Sequence, residues 1–206
     1  MAYTTSDEQL QIEEIKQWWK ENGKVIIAAV ILAIVGVFGW RYWQGYQQGK
    51  IHQSSAEFSQ IMAATEQADA GKANAQLTQF VEANPSSAYS AFLLLEQAKK
   101  QIDANQWQHA ADTLQKALNN AKDAALISLI ALRLASVQTQ LKQFEPALAT
   151  LGKVTDQAWQ GRKAMLSGEI YNAMGNKAEA KKSFEAALTT ANPLEAQWLQ
   201  IQINNL

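Results

Sequence analysis

Residues 21–43, ENGKVIIAAVILAIVGVFGWRYW, decide the fold because no other stretch of this chain shares their composition. From Val25 to Trp40, sixteen consecutive residues are apolar or glycine, set between Lys24 and Arg41. As a helix at about 1.5 Å per residue the run covers roughly 24 Å, a little short of a ~30 Å hydrocarbon core. Lys24 and Arg41 can reach outward with their charges and make up the difference. Trp18 and Trp19 before the run, and Trp40, Tyr42 and Trp43 at its end and after it, supply interfacial aromatic belts. Ten of the sixteen residues are Val, Ile, Leu or Phe, which together favour insertion by roughly 3–6 kcal/mol. The following RYWQGYQQGK is bulky and aromatic, so it offers no small-x-small cleavage site. A helix buried in a soluble core would not need aromatic belts at both ends. The stretch predicts a permanent membrane anchor.

Lys16, Lys20 and Lys24 precede the run, against Arg41 and Lys50 close behind it. Cationic residues are retained on the cytoplasmic side, so this bias favours an N-terminus inside. The predicted organisation is a cytoplasmic segment 1–22, a transmembrane helix 23–43, and a domain 44–206 on the outer side, the periplasm of a bacterium. About 160 residues outside the membrane are enough for one domain with its own core. The chain has no Cys, which excludes a disulfide framework and thiol catalysis. Net charge is −1, and from Arg41 onward fifteen Lys and Arg meet fourteen Asp and Glu. No basic stripe marks a nucleic-acid surface.

Beyond residue 50 the chain is rich in Ala, Leu, Gln, Lys and Glu, all strong helix formers, with only three prolines in the whole sequence. Four segments align: ANAQLTQFVEANP (73–85), AADTLQKALNNAK (110–122), ALATLGKVTDQAW (147–159) and AEAKKSFEAALTTANP (178–193). Ala73, Ala110, Ala147 and Ala180 stand at spacings of 37, 37 and 33. Leu77, Leu114, Leu151 and Phe184 follow four residues later, and Phe80, Ala117, Val154 and Ala187 three after those. Positions i, i+4 and i+7 share one face of a helix, so a helical stripe recurs four times.

The last unit, with Gly168, Tyr171, Gly175, Ala180, Phe184 and Pro193, resembles the tetratricopeptide pattern G-x2-Y…A-x3-F…P. Trp107 and Phe144 each precede their alanine by three residues and are expected to open the second helix of a pair. Gly175 suits a left-handed helix cap, Asn176 with Glu179 a capping pair, and Asp123 and Asp156 helix starts. Pro85 and Pro193, each after Ala-Asn, are expected at helix ends. Two spacings exceed the usual period of about 34, so loops or helix ends must differ. The tail LEAQWLQIQINNL aligns Leu194, Trp198 and Ile201 on one side and reads as a capping helix. The predicted fold class is all-α: one N-terminal transmembrane helix, then a tetratricopeptide-like helical-hairpin solenoid with a C-terminal cap.

Chemistry is harder to find. His52 and His109, the only histidines, lie far apart and outside any metal-ligand spacing. No phosphate loop, dinucleotide fingerprint or nucleophile elbow occurs, and the acids are scattered at helical surface spacings. The expectation is a non-enzyme with no catalytic residue, metal or cofactor. Binding is left. The first helix of each pair lines the concave side of such a solenoid, which points to Phe92, Leu95 and Lys99, then Leu129, Leu132 and Ser136, then Arg162, Met165 and Glu169. A groove-facing Leu132 is expected to accept glutamate without loss of fold. Within the span, Ala29, Ala33 and Gly36 share a face where small side chains allow close helix approach in lipid.

WWKENGKV (18–25), the apolar run and GWRYWQ (39–44) together resemble the start of the YfgM family of bacterial inner-membrane proteins. The resemblance extends over the whole length in the order anchor, helical repeats, cap. It implies a single-pass protein with a short cytoplasmic N-terminus and a periplasmic tetratricopeptide-like domain. It further implies an ancillary subunit of the SecYEG translocon that works with PpiD, a membrane-anchored periplasmic chaperone, on proteins emerging from the channel. Secreted client chains are a further class of partner. Two alternatives remain open from the residues: a scaffold for envelope assembly, and a membrane-anchored regulatory protein. The second is disfavoured by an N-terminal tail too short for a folded output domain.

Overall fold

The computed structural model describes residues 6–66 and 70–206, without the side chains of 6–10, 47, 48, 50–52, 66 and 70. The side chains of Lys50 and His52 are therefore outside the described set. All described regular structure is helical. Helix α1 runs Ser6–Glu66, and eight shorter helices follow: α2 Ala70–Ala83, α3 Ala88–Asp103, α4 Trp107–Asn120, α5 Ala124–Gln140, α6 Phe144–Leu151, α7 Gln160–Ala173, α8 Lys177–Leu188 and α9 Pro193–Asn204. A 3₁₀ turn, Gln157–Trp159, leads into α7. The chain divides into two compact units between Ser55 and Ala56.

In the first unit, α1 is long and apolar enough to cross a membrane within Gln11–Tyr46. Its apolar side chains have no protein cover: Val25, Leu32, Phe38 and Trp40 are all exposed. That excludes a core helix, whose apolar face is covered by its own protein. Trp40 and Trp43 meet at 5.5 Å between ring centroids with their planes tilted by 41°, at the end of the apolar run.

In the second unit, α3 pairs with α4, α5 with α6 and α7 with α8, and α9 packs on α8. The seams are closed by small residues. Ala110, Ala147 and Ala180 are completely buried, and all twelve residues of the fourfold stripe lie in the interior. A Cβ at Gly168 would stand 2.5 Å from the Phe184 ring, so α7 meets α8 where only glycine fits. Each large stripe residue withdraws on the order of 1.5–3 kcal/mol of apolar surface from water. The first unit of the array is joined differently, with the end of α1 meeting α3 through Phe58 and Tyr89, 5.3 Å apart, and through Lys100 Nζ, which donates to the Thr65 carbonyl at 2.8 Å.

Helix starts follow the predicted capping. Asp123 Oδ1 accepts from the Leu126 N–H, Asp156 Oδ1 from Ala158, and Asn176 Oδ1 from Glu179. Trp107 and Phe144 are the first residues of α4 and α6. Pro193 departs from expectation: it opens α9 instead of ending α8. Asn192 caps that helix in a reciprocal box with Glu195, and proline is favoured at a first helical position whose N–H has no helical partner. Val154 departs too. Helix α6 stops at Leu151, yet Val154 is buried in the loop beyond it. Side chains of α7 hold that loop: Gln160 Nε2 and Lys163 Nζ both donate to the Val154 carbonyl.

The three turns inside the hairpins share one geometry. Asn105, Lys142 and Gly175 all have positive φ, at 59°, 58° and 78°. In each, the next N–H reaches back five residues: Gln106 to the Gln101 carbonyl (2.7 Å), Gln143 to Gln138 (2.8 Å) and Asn176 to Tyr171 (2.9 Å). This is the left-handed cap that satisfies the last helical carbonyls. Only Gly175 adopts it freely; a lysine there is held against a penalty of roughly 1–2 kcal/mol. Lys142→Gly is expected to stabilise the protein by about 0.5–1 kcal/mol and Gly175→Val to destabilise it. Thermal midpoints of the full chain in detergent, followed by circular dichroism, check both signs.

Candidate functional site

The first helices of the successive pairs, α3, α5 and α7, stand side by side with α9, and clefts open between their exposed edges. A cleft of ≈ 690 Å³ is lined by Phe58, Phe92, Leu95, Lys99, Leu129 and Arg133 among others. A second, of ≈ 250 Å³, is lined by Leu129, Leu132, Arg133, Ser136, Arg162, Met165 and Glu169. A third, of ≈ 370 Å³, lies between α7 and α9 and is lined by Arg162, Met165, Glu169, Leu194, Glu195 and Trp198. Leu129 and Arg133 belong to the first two clefts; Arg162, Met165 and Glu169 belong to the last two. The three are therefore one continuous strip, and all nine residues named from sequence lie along it.

They are not equivalent within it. Phe92 is 46% exposed, while Leu132 is only 6% exposed and belongs to the hydrophobic core. Leu132 touches the strip with one edge while the rest of its side chain packs inward, so the expectation that it would accept glutamate is corrected. Lys99 reaches Glu96 at 4.0 Å with its side chain largely in water, a contact worth little.

Other lining residues, Arg133 among them, were not named from sequence, and two of those missed follow the repeat itself. Phe58, Leu95, Leu132, Met165 and Trp198 recur at spacings of 37, 37, 33 and 33, and every one of them lines the strip. The repeat spacing, carried one unit further at each end, would have found Phe58 and Trp198. The tail forms the expected capping helix, α9, packed on α8. Leu199, Ile203 and Leu206 join the core around α8, with Leu199 fully buried, and the Trp198 ring stands edge-on to Phe184 at 6.1 Å, whereas Leu194 and Ile201 stay at the surface. A helix with two apolar sides does not reveal by periodicity which side finds a neighbour.

Glu169 is the carboxylate shared by the last two clefts. Desolvation by its surroundings raises it above the usual carboxylate range, and Arg162, two turns earlier, opposes the rise. Among the described residues no cluster of His, Asp and Glu could hold a metal ion. The span residues Ala29, Ala33 and Gly36 are exposed, and a Cβ at Gly36 would meet nothing within 4 Å. Nothing in this unit covers that face.

Helical hairpins stacked behind a helix of membrane-spanning length define a tetratricopeptide-repeat-like protein. A family profile described as "Tetratricopeptide repeat-like domain" matches residues 16–206. Relatives in Haemophilus influenzae (strain ATCC 51907 / DSM 11121 / KW20 / Rd) and Aggregatibacter actinomycetemcomitans are 44% and 42% identical. Both alignments cover 100% of this chain and 100% of the relative, and both relatives carry the name "Ancillary SecYEG translocon subunit". A tetratricopeptide repeat protein from Parabacteroides merdae ATCC 43184 superposes with TM-score 0.57 at 17% identity, covering 74% of this chain and 59% of that one; that likeness concerns the fold alone. The chain belongs to the family of ancillary SecYEG translocon subunits, the YfgM family.

Burial separates core from groove in a way substitutions can read. Leu132→Glu is expected to destabilise the protein by about 3 kcal/mol or more, since a charge would enter the interior. Phe92→Glu should cost no more than about 1 kcal/mol; equal losses in thermal midpoint would reject the distinction. Glu169 makes a pH prediction. Because its native form holds the proton more tightly than the unfolded form, its contribution to stability is fully present below the usual carboxylate range and is lost as pH rises from there through its raised native value. Glu169→Gln is expected to flatten that part of the stability–pH profile, measured by thermal melts at closely spaced pH values.

Proposed function

We propose that this chain is a membrane-anchored, non-enzymatic interaction subunit of the SecYEG translocon in the bacterial inner membrane. Segment 1–22 is cytoplasmic, 23–43 spans the membrane and 44–206 is periplasmic. The groove formed by Phe92, Leu95, Lys99, Leu129, Leu132, Ser136, Arg162, Met165 and Glu169 takes part of a PpiD-type chaperone, or a secreted chain leaving the channel. The span face of Ala29, Ala33 and Gly36 meets another helix in lipid.

The observation that carries this reading is the continuity of the strip. Nine side chains from three helices, apolar ones interleaved with Lys99, Arg162 and Glu169, line linked clefts on one side of the array. A strip of that kind suits an extended or helical polypeptide segment. The relatives' name supplies the setting. Tethering beside the channel raises the effective concentration of the groove at the place of use, so modest intrinsic affinity suffices. The three lysines ahead of the span support the orientation.

Photocrosslinking in living cells tests this, with the probe at Phe92 in one strain and at Ala33 in another. A discrete product containing a PpiD-type chaperone or a SecYEG subunit is expected. A ladder of many secreted proteins from Phe92 would assign the groove to clients instead of the chaperone. Absence of every Sec component and of the chaperone from both positions would overturn the translocon reading in favour of an envelope scaffold. Orientation has its own readout. Because the chain lacks cysteine, Lys116→Cys should react with a membrane-impermeant maleimide added to the periplasm.

A further inference from the structure

Phe58, Leu95, Leu132, Met165 and Trp198, one from each successive leading helix, form an apolar rail along the strip. Helix α3 packs on α5 and α5 on α7, so neighbouring rungs stand about 8–10 Å apart. Charged side chains flank the rail: Glu96, Lys99 and Asp103 in the first cleft, Arg133, Arg162 and Glu169 in the middle one. Residues 56–66 and 70–206 also hold twenty-six Asn and Gln, yet among the described residues none of these amides lines the strip. Asn74, Gln97, Gln101 and Gln106 meet instead in another cavity, of ≈ 260 Å³. The leading helices use their own N–H and C=O groups in helical hydrogen bonds, and among the described residues no strand edge is on offer. An extended segment brings a free N–H and a free C=O with nearly every residue, and each loses water on entering a groove. Ser136 and the charged side chains could meet only a few of them. A helix arrives with its backbone already bonded and needs only a seat for its apolar face.

We propose that the occupant of the groove is an amphipathic α-helix of a partner protein, laid across α3, α5 and α7 with its apolar face on the rail and an acidic residue over the middle cleft. This deepens the groove reading given above and rests on it. The rungs set the pattern the partner must carry. Two helix spacings, from α3 to α7, amount to about 16–20 Å. A helix covers that in about 11–13 residues at 1.5 Å each, an extended chain in about five or six at ~3.3 Å each. Apolar residues about seven apart on one helix face therefore meet successive rungs. The acidic residue follows from charge. Arg133 and Arg162 both line the ≈ 250 Å³ middle cleft, and among the described residues neither has an ion-pair partner. Glu169 is the one carboxylate lining that cleft, and desolvation makes it hold its proton more tightly than usual. A partner carboxylate supplies the missing charge and accepts from guanidinium donors in short, strong hydrogen bonds.

A helix already folded within its own protein loses less conformational freedom on binding than an unfolded segment does. Between the two occupants that the groove reading allows, a folded partner is thereby favoured over an unfolded chain leaving the channel.

Photocrosslinking in living cells reads the spacing, with the probe replacing Lys99 in one strain and Glu169 in another. These positions correspond in α3 and α7, at intervals of 37 and 33 through Ser136, and both residues are exposed. Mass spectrometry then locates the captured residues in the partner. A separation of about 11–13 residues within one segment of one protein is expected. The separation reads the helix whichever protein is captured, so it is independent of the translocon reading. A separation of about five or six, or captured residues scattered over many sequences, would overturn the helix and leave the groove standing. Capture of no polypeptide from either position would overturn both. Arg133→Gln/Arg162→Gln should lower the yield from both probes roughly fivefold or more without moving the thermal midpoint, because both residues are exposed. Arg133→Lys/Arg162→Lys, which keeps the charge, should retain most of the yield. An undiminished yield in the glutamine variant would overturn the acidic residue over the middle cleft.

Discussion

The structure depends on how closely two helices of a hairpin approach. Gly168 under the Phe184 ring is the tightest instance, and Ala110, Ala147 and Ala180 hold the corresponding contacts elsewhere. These small residues contribute little burial themselves. What they set is the distance at which Leu114, Leu151 and Phe184 make their dispersion contacts, and those contacts weaken sharply across even a small gap. The spacing also fixes where the next hairpin lands. Because each hairpin touches only its neighbours, an error at one seam displaces every later rung of the groove. The strip from Phe58 to Trp198 is continuous because the seams are regular.

Polar groups do a different task, placing the turns and loops that the apolar stripe leaves undetermined. Thr150 donates to Gln138 at 2.9 Å inside the core, fixing the short α6 against α5. The Asp156 N–H reaches Ser128 Oγ at 3.4 Å, and Gln160 and Lys163 take the Val154 carbonyl. Helix α6 can therefore end early without leaving buried backbone unsatisfied, and the loop that follows it lies in the 33-residue interval from Ala147 to Ala180.

Much of this was legible in the sequence, for reasons that can be named. The membrane helix declared itself because one solvent, lipid, demands an uninterrupted apolar run. The stripe was legible because period 3.6 is a property of a single helix, and the caps because Asp123, Asp156 and Asn176 act on backbone within three residues. Legibility stopped where a second element decides. Leu132 looked like a groove residue because periodicity gives a face, not how deeply that face is covered by the neighbouring hairpin. Lys142 gave no sign of a left-handed turn, since tertiary packing, not its own preference, holds it there. Leu194, Trp198 and Ile201 formed an obvious stripe, yet the packed side of α9 is the less conspicuous Leu199 and Ile203. Phe58 and Trp198 escaped the groove because repeat counting began at Ala73 and ended at Ala187, although the spacing runs on past both.

The two ends of the array show why its length is fixed. At the first unit α1 itself supplies the leading helix, with Phe58, Ile61 and Met62 entering the core or packing against it, so no further hairpin can precede it. At the last, α9 repeats the outward-facing positions of α7 faithfully, with Trp198 where α7 has Met165, but replaces the glycines of the seam by Leu194 and Ile201. The groove is extended by one rung while the site for a paired helix is closed by bulk. Termination by large apolar side chains is costly in water unless something covers them, since a contiguous exposed patch of this kind is a contact surface or a liability. A polar face would have ended the array as well and stayed soluble. Leucine and isoleucine at these two positions close the seam by bulk, beside Trp198, whose ring is held edge-on against Phe184 of α8.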